Sequence, residues 1–323
     1  MNRRNSYISI SKNRIGKKTR FAIDCIVLLL FLFILIFVVI LPQYSHDMNA
    51  TIEDKIKRAK DIKEPAILLA GDSNLIFGVD SKVLEEAMGM PVVNLGLHAG
   101  LGNDFLLRLA EYCAEPGDIV VCSFVKYNMG KNSGNEELKW TTIENHFSYY
   151  RFIAPEDAFE MVRAFPSYLR DATNHWINGK ANVDLDSGYN RKFFNEYGDS
   201  DFPRPEPIKY YDESDGIPEI TDEFVEDFNE YYDILTKRGV KVVLAGFPVY
   251  VCDDTPAVSE YEAFEEELCS RLKCECISDI NEYMMDKELF WDSKYHLNDK
   301  AVPVRTELLI HDLEPVIGAA LRE

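Results

Sequence analysis

The chain reads as an α/β protein built on a five-stranded parallel sheet and preceded by one membrane-crossing helix. Three observations carry that reading. Short runs rich in Val, Ile and Leu recur at 66–70, 91–95, 118–124, 240–246 and about 275–278. They lack the alternation of a half-exposed strand, as expected for strands buried on both faces. Helical stretches at about 80–88, 102–114, 221–238, 256–272 and 299–321 separate or follow them, the pattern of a doubly wound sheet. Ahead of these lies an uninterrupted apolar run from Cys25 to Leu41.

Residues 1–20 carry seven basic side chains (Arg3, Arg4, Lys12, Arg14, Lys17, Lys18, Arg20) and no acidic ones. With its flanks, the apolar segment at 21–44 supplies about the 20 residues that a helix needs to cross a bilayer. The basic tail places the N-terminus in the cytoplasm and everything after Tyr44 outside. The run exceeds the apolar core of a signal peptide, about 7–15 residues, and Leu41-Pro42-Gln43-Tyr44 offers no small-residue cleavage site. An uncleaved signal anchor in the cell membrane is therefore expected. Asp24, near its cytoplasmic end, lies within reach of the headgroups.

Residues 45–64, with Glu53-Asp54-Lys55-Ile56-Lys57-Arg58, read as a polar stalk or short helix. A single domain is expected over 65–323. Beyond the anchor, 28 basic side chains face 54 acidic ones, a net charge of −26. That charge argues against nucleic acid or anionic polymers as broad-face partners. It suits a neutral or cationic substrate, or simply a solvated acidic surface.

The seven cysteines give no metal framework. Cys25 lies in the anchor, and Cys113 and Cys122 fall at apolar positions of a helix and a strand, as small core residues do. Cys269, Cys274 and Cys276 lack zinc-site spacing and a neighbouring histidine. A disulfide is permitted outside the membrane, with Cys252 paired to one of these three as one arrangement.

Residues 126–220 interrupt the strand–helix alternation with aromatics and turn formers, apart from a helix expected at 155–171. So long an insertion between strands reads as a lid or a substrate-binding elaboration. Its densest polar–aromatic cluster is Tyr189-Asn190-Arg191-Lys192-Phe193-Phe194-Asn195-Glu196-Tyr197-Gly198-Asp199. Tyr189, Asn195 and Tyr197 are its candidate carbohydrate contacts, since sugar clefts pair aromatic faces with hydrogen-bonding groups. A packed loop with solvated charges is the competing reading.

The chemistry-bearing signal is Ala66-Ile67-Leu68-Leu69-Ala70-Gly71-Asp72-Ser73-Asn74. A buried strand ends there in a small-residue turn carrying a serine, at the sheet edge where α/β proteins bind ligands. By itself Gly-Asp-Ser is an ordinary turn. Its weight comes from Phe290-Trp291-Asp292-Ser293-Lys294-Tyr295-His296, where a carboxylate and an imidazole share one segment before the last helix. A nucleophilic serine needs a base, and the base needs an orienting carboxylate. Asp72 is expected to brace the turn through backbone hydrogen bonds. His98, in Gly96-Leu97-His98-Ala99-Gly100, reads as a helix-entry residue.

On these residues the sequence resembles the SGNH (GDSL-type) hydrolase superfamily. Gly71, Asp72 and Ser73 match its first block, Gly96 in Val92-Val93-Asn94-Leu95-Gly96 its second, and Asp292 with His296 its last. The resemblance covers roughly residues 60–320, with a poorly matched middle. Asp and His stand four residues apart rather than the family's three. The Gly-x-Asn-Asp block after the third strand is missing: Gly102-Asn103-Asp104 lies too early, and the nearest polar residue is Asn128. Both departures look like the membrane-anchored branch that includes proteins of teichoic-acid D-alanylation and polysaccharide O-acetylation. The resemblance implies a flavodoxin-like three-layer α/β/α sandwich. It also implies Ser73 as nucleophile, His296 as base, Asp292 as orienting acid, and an oxyanion hole from Ser73, Gly96 and Asn128.

Such chemistry requires neither a metal nor an organic cofactor. Tethering suits work on a cell-surface polymer, so the expected function is a serine esterase or O-acyltransferase of cell-envelope glycans. By analogy with the anchored branch, a multi-span membrane acyltransferase is an expected partner. Two other functions stay open. A secreted esterase or lipase predicts an apolar tunnel beside Ser73. A non-catalytic assembly protein predicts that Ser73 and His296 stand apart.

Overall fold

The computed structural model describes residues 16–127, 134–144, 146–179 and 186–320. Its strands are β1 (Ile67–Gly71), β2 (Val92–Asn94), β3 (Ile119–Ser123), β4 (Lys241–Leu244), β5 (Val249–Val251), β6 (Glu275–Cys276) and β7 (Met284–Asp286). The first helices are α1 (Lys17–Ile34), α2 (Ile52–Asp61), α3 (Ser73–Ile76), α4 (Ser81–Met88) and α5 (Asn103–Cys113). They are followed by α6 (Glu136–Ile143), α7 (Ala158–Asn178), α8 (Asp222–Lys237), α9 (Val258–Arg271) and α10 (Val302–Ala320).

Five strands form one parallel sheet in the order β2-β1-β3-β4-β6. The expected strands are present, β1 shifted by one residue to end at Gly71 and the other four shorter than expected. Not anticipated is the separate parallel pair β5–β7. Alternate residues of each strand enter two different cores. Leu68, Ala70, Val120, Cys122, Val242 and Leu244 pack with Ile56 of α2, Phe105 and Leu109 of α5, and Phe224 and Phe228 of α8. Ile67, Leu69, Ile119, Val121 and Val243 pack with Leu84 of α4 and Leu309, Leu313 and Val316 of α10. Burial on both faces is why these strands read as continuous apolar runs.

The apolar helix runs from Lys17 to Ile40, 24 residues with none fully buried, and Ile36, Phe37 and Ile40 at its outer end pack partly against the domain. Among the described residues it is the one helix long and apolar enough to cross a membrane. The expected boundary at residue 44 is too late. Leu41 and Tyr44 are 0% and 5% exposed and belong to the folded domain. Tyr44 N–H donates to the Glu144 carboxylate at 2.6 Å, and the Tyr44 ring stacks on Tyr168 at 5.8 Å.

Of the two readings of 45–64, a polar stalk or a short helix, the structure has the helix, α2. Asp47 caps a short turn at Met48–Thr51, which feeds α2. Ile52, Ile56 and Ala59 recur at helical spacing and face the core, while Glu53, Asp54 and Lys57 face solvent. The segment is therefore an amphipathic core helix. The disulfide joins Cys269 of α9 to Cys276 of β6, whereas Cys252 is free.

Candidate active site

Strand β1 ends at Gly71, where only a glycine fits. A Cβ there would stand 1.9 Å from the Ser123 carbonyl oxygen of β3. The chain then turns into the one-turn helix α3, with Asp72 as its N-cap. Asp72 Oδ1 accepts from Asn74 N and Nδ2 at 3.0 and 2.7 Å, and Oδ2 accepts from Val125 N at 2.9 Å. One carboxylate thus ties the turn after β1 to the turn after β3, between the two strands where the winding direction reverses. This is the crevice in which open α/β sheets bind ligands. Ser73 follows as the first helical residue and is 7% exposed.

Beneath the turn lies Arg305 of α10, 1% exposed. Its guanidinium donates to Asn74 O and Asn74 Oδ1, both at 2.5 Å, and to Ser123 Oγ at 3.2 Å. Burial pulls its pKa down to about 10, partly offset by the charges of Tyr283 and Asp72. The serine turn therefore rests on a buried cation supplied from the far end of the chain.

The opposing loop closes on itself. Phe290 and Leu297 form an antiparallel bridge, Trp291 N donates to His296 O at 2.8 Å, and Ser293 Oγ accepts from His296 N at 3.2 Å. The closed turn accommodates the four-residue spacing and sets Asp292 beside His296. Asp292 Oδ1 lies 2.8 Å from His296 Nδ1, and His296 Nε2 lies 2.9 Å from Ser73 Oγ. The three residues expected to act together are contiguous through hydrogen bonds. The Phe77 ring packs against the imidazole, centroids 4.4 Å apart.

Burial raises the Asp292 pKa, but the hydrogen bond and charge of His296 and the hydrogen bond from Tyr189 outweigh it, leaving the carboxyl below its ordinary value. The Tyr189 hydroxyl donates to Asp292 Oδ2 and lies 3.2 Å from His296 Nδ1. Burial, followed by the Asp292 charge, pushes the Tyr189 pKa up, so the phenol keeps its proton. Tyr189 therefore belongs to the Ser73 site as a partner of the carboxylate, not as a free sugar contact. Tyr211, also from the 126–220 insertion, donates its hydroxyl to Asp292 O at 2.8 Å.

The other two candidate substrate contacts are committed elsewhere. Asn195 Oδ1 accepts from the N–H groups of Tyr197, Gly198 and Asp199, and its Nδ2 donates to Asp201. The Tyr197 hydroxyl donates to Glu85, and its ring lies under the Arg58 guanidinium, 4.1 Å from its centroid. Asn195 builds the fold of the insertion, and Tyr197 ties it to α2 and α4.

The expected oxyanion hole is changed too. Gly96 N–H is taken by Asn94 Oδ1 at 3.0 Å, a local side-chain turn. Gly96 owes its identity to packing, since a Cβ would meet Asp72 O at 2.8 Å. Asn128 lies outside the described residues. His98 caps a short helix by accepting from Gly100 N at 2.8 Å, the helix-entry role expected of it. Burial lowers its pKa, and the nearby His296 adds to the shift.

Next to the loop carrying Asp292 and His296 opens a cleft of about 600 Å³. Its walls include Tyr127, Phe247, Tyr250, Tyr261 and Tyr295, with Lys126, Asp215 and Lys294 among them. Sequence reasoning missed Arg305, Phe77 and the roles of Tyr189 and Asn94. For Arg305, an arginine amid apolar residues near the start of a core helix was the available signal. No family model matches this chain, and no curated protein is significantly similar to it.

Proposed function

We propose that this protein is a membrane-anchored, extracytoplasmic serine esterase or O-acyltransferase of the SGNH type, acting on O-acyl groups of cell-envelope glycans. The observation that carries the reading is the unbroken chain Ser73 Oγ–His296 Nε2, His296 Nδ1–Asp292 Oδ1, at 2.9 and 2.8 Å. A non-catalytic assembly protein has no need of that contact. The doubly covered parallel sheet and the serine at its carboxyl edge suit the three-layer sandwich of that superfamily.

In the proposed reaction His296 takes the Ser73 hydroxyl proton as Oγ attacks the acyl carbonyl. Asp292 holds the imidazole tautomer and stabilises the imidazolium, and Tyr189 holds Asp292. Ser73 N–H, first in its helix and so without an intrahelical acceptor, serves the oxyanion. Collapse breaks the ester C–O bond, and His296 returns the proton to the leaving oxygen. Water or a glycan hydroxyl, deprotonated by His296, then releases the acyl group from Ser73. Water gives an esterase and a glycan hydroxyl gives a transferase.

The cleft beside the loop supports a glycan, because tyrosines line it together with Lys126, Asp215, Glu219 and Lys294. The Cys269–Cys276 disulfide suits an oxidising compartment. The basic tail orients the domain outward, where a multi-span acyltransferase would be the acyl source. A fluorophosphonate probe applied to the full chain in detergent tests the reading. Wild type is expected to label and Ser73→Ala to stay blank, with ester turnover reduced roughly 10⁴-fold or more. Labelling that survives the substitution removes Ser73 as nucleophile.

A further inference from the structure

The junction between anchor and domain has no slack. Leu41 is fully buried, its carbonyl accepts from the Tyr168 hydroxyl at 3.5 Å, and Tyr44 is clamped by Glu144 and Tyr168. The chain leaving the anchor runs beside α7 in a fixed order. Phe37 meets Phe165 at 6.2 Å, Leu41 meets Tyr168, and Tyr44 meets His175 at 5.7 Å. Both segments therefore advance in the same direction, and residues of α7 before Phe165 lie on the membrane side of it.

The helix rise converts this order into depth. From Phe21 to Ile40 the anchor spans roughly 30 Å, the thickness of the hydrocarbon core. Phe37 then stands about 5 Å, and Phe33 about 10 Å, inside the outer boundary. Phe147 stacks on Phe33 at 6.3 Å and lies 6.2 Å from Phe37, yet is 59% exposed. On α7, Phe159 and Val162 lie one to two turns before Phe165, and each is 68% exposed. Arg163, 5.9 Å from the Phe159 ring, pairs with Glu160 at 3.0 Å, so the charges beside the foot neutralise each other.

We propose that Phe147, Phe159 and Val162 form an apolar foot that enters the outer leaflet beside the anchor, so that lipid holds the domain at a second place. The inference rests on reading residues 17–40 as a membrane anchor and is independent of the chemistry at Ser73. Exposed apolar side chains that continue a membrane-spanning surface are satisfied by acyl chains, and Phe at this level suits an interfacial contact.

The test uses the full chain reconstituted in phosphatidylcholine vesicles, with and without 6,7-dibromophosphatidylcholine. Phe159→Trp is compared with Val304→Trp, an exposed position on α10 across the sheet from the anchor. Unaltered chain supplies the background of Trp140, Trp176 and Trp291, and unchanged thermal unfolding shows that each variant folds. The foot predicts an added, blue-shifted emission for Phe159→Trp that brominated lipid quenches, and none quenched for Val304→Trp. Flotation with the vesicles but no quenching at position 159 overturns the foot while the anchor stands, leaving that face to a protein partner. A chain that does not float overturns the anchor and the foot together.

Discussion

Around Asp292 both carboxylate oxygens are used, Oδ1 by His296 and Oδ2 by Tyr189. Removing the second donor leaves a half-buried carboxylate with one fixed partner and freer rotation. Tyr189→Phe is therefore expected to lower kcat about 10- to 100-fold, the worth of one hydrogen bond to a charged group, with KM unchanged. Steady-state kinetics on a soluble ester read this directly. An unchanged kcat would mean that the phenol only fills space. Arg305 acts on stability instead. Arg305→Met leaves Asn74 O without its donor and Asn74 Oδ1 with Ser123 Oγ alone, at an expected cost of about 1–3 kcal/mol for the unsatisfied carbonyl. Thermal unfolding checks it, and a fall within a degree or so of wild type would discount the brace.

Between elements, one buried polar cluster joins α2, the end of β2 and the insertion. Lys55 Nζ donates to Asn94 O and Gly198 O at 2.7 and 2.8 Å. Asp199 accepts from Ser81 N, Ser81 Oγ and Asn94 Nδ2 at 2.8, 2.7 and 2.8 Å. Burial pushes the Lys55 pKa down and the Asp199 pKa up, each partly restored by the other's charge. The same Asn94 side chain holds Gly96, which packs against the turn carrying Ser73. Lys55→Met strips Asp199 of its buried countercharge and two carbonyls of their donor. It is expected to destabilise by about 3–5 kcal/mol in a denaturation measurement. A neutral result would show that desolvation cancels the attraction.

At the scale of the molecule, Glu144 holds the junction between the apolar helix and the domain through Tyr44 N–H. Burial raises its pKa from 4.5 to about 7 despite the N–H groups of Tyr44 and Gln43, which favour the carboxylate. A folded-state pKa above the unfolded one contributes stability that is complete below about pH 4.5 and lost as pH rises through about 7. The loss amounts to roughly 3 kcal/mol for a shift of this size. Glu144→Gln removes the titration, so its unfolding temperature should fall less than that of wild type between about pH 5 and about pH 8. Parallel pH profiles for the two proteins would contradict this account of the junction.

How far these features could be read beforehand depends on the range of the interaction that makes them. The strands, the turn at Gly71-Asp72-Ser73 and the apolar run long enough to cross a membrane are written in consecutive residues, because apolar continuity and turn chemistry act locally. The pairing of Ser73 with His296 was legible despite a sequence separation of 223, since serine, carboxylate and imidazole are residue types that serve one another chemically. Tyr189 on Asp292, Arg305 on Asn74 and Lys55 on Asn94 carry no such signature. Each is a long-range contact whose partner is set by where the sheet stops and which helix covers it. The same holds for 45–64, whose charges suggested solvent until Ile52, Ile56 and Ala59 met the core. Local pattern selects the elements and the reactive groups. Burial selects their partners, because a polar group removed from water must take whichever donor or acceptor the packing brings to it.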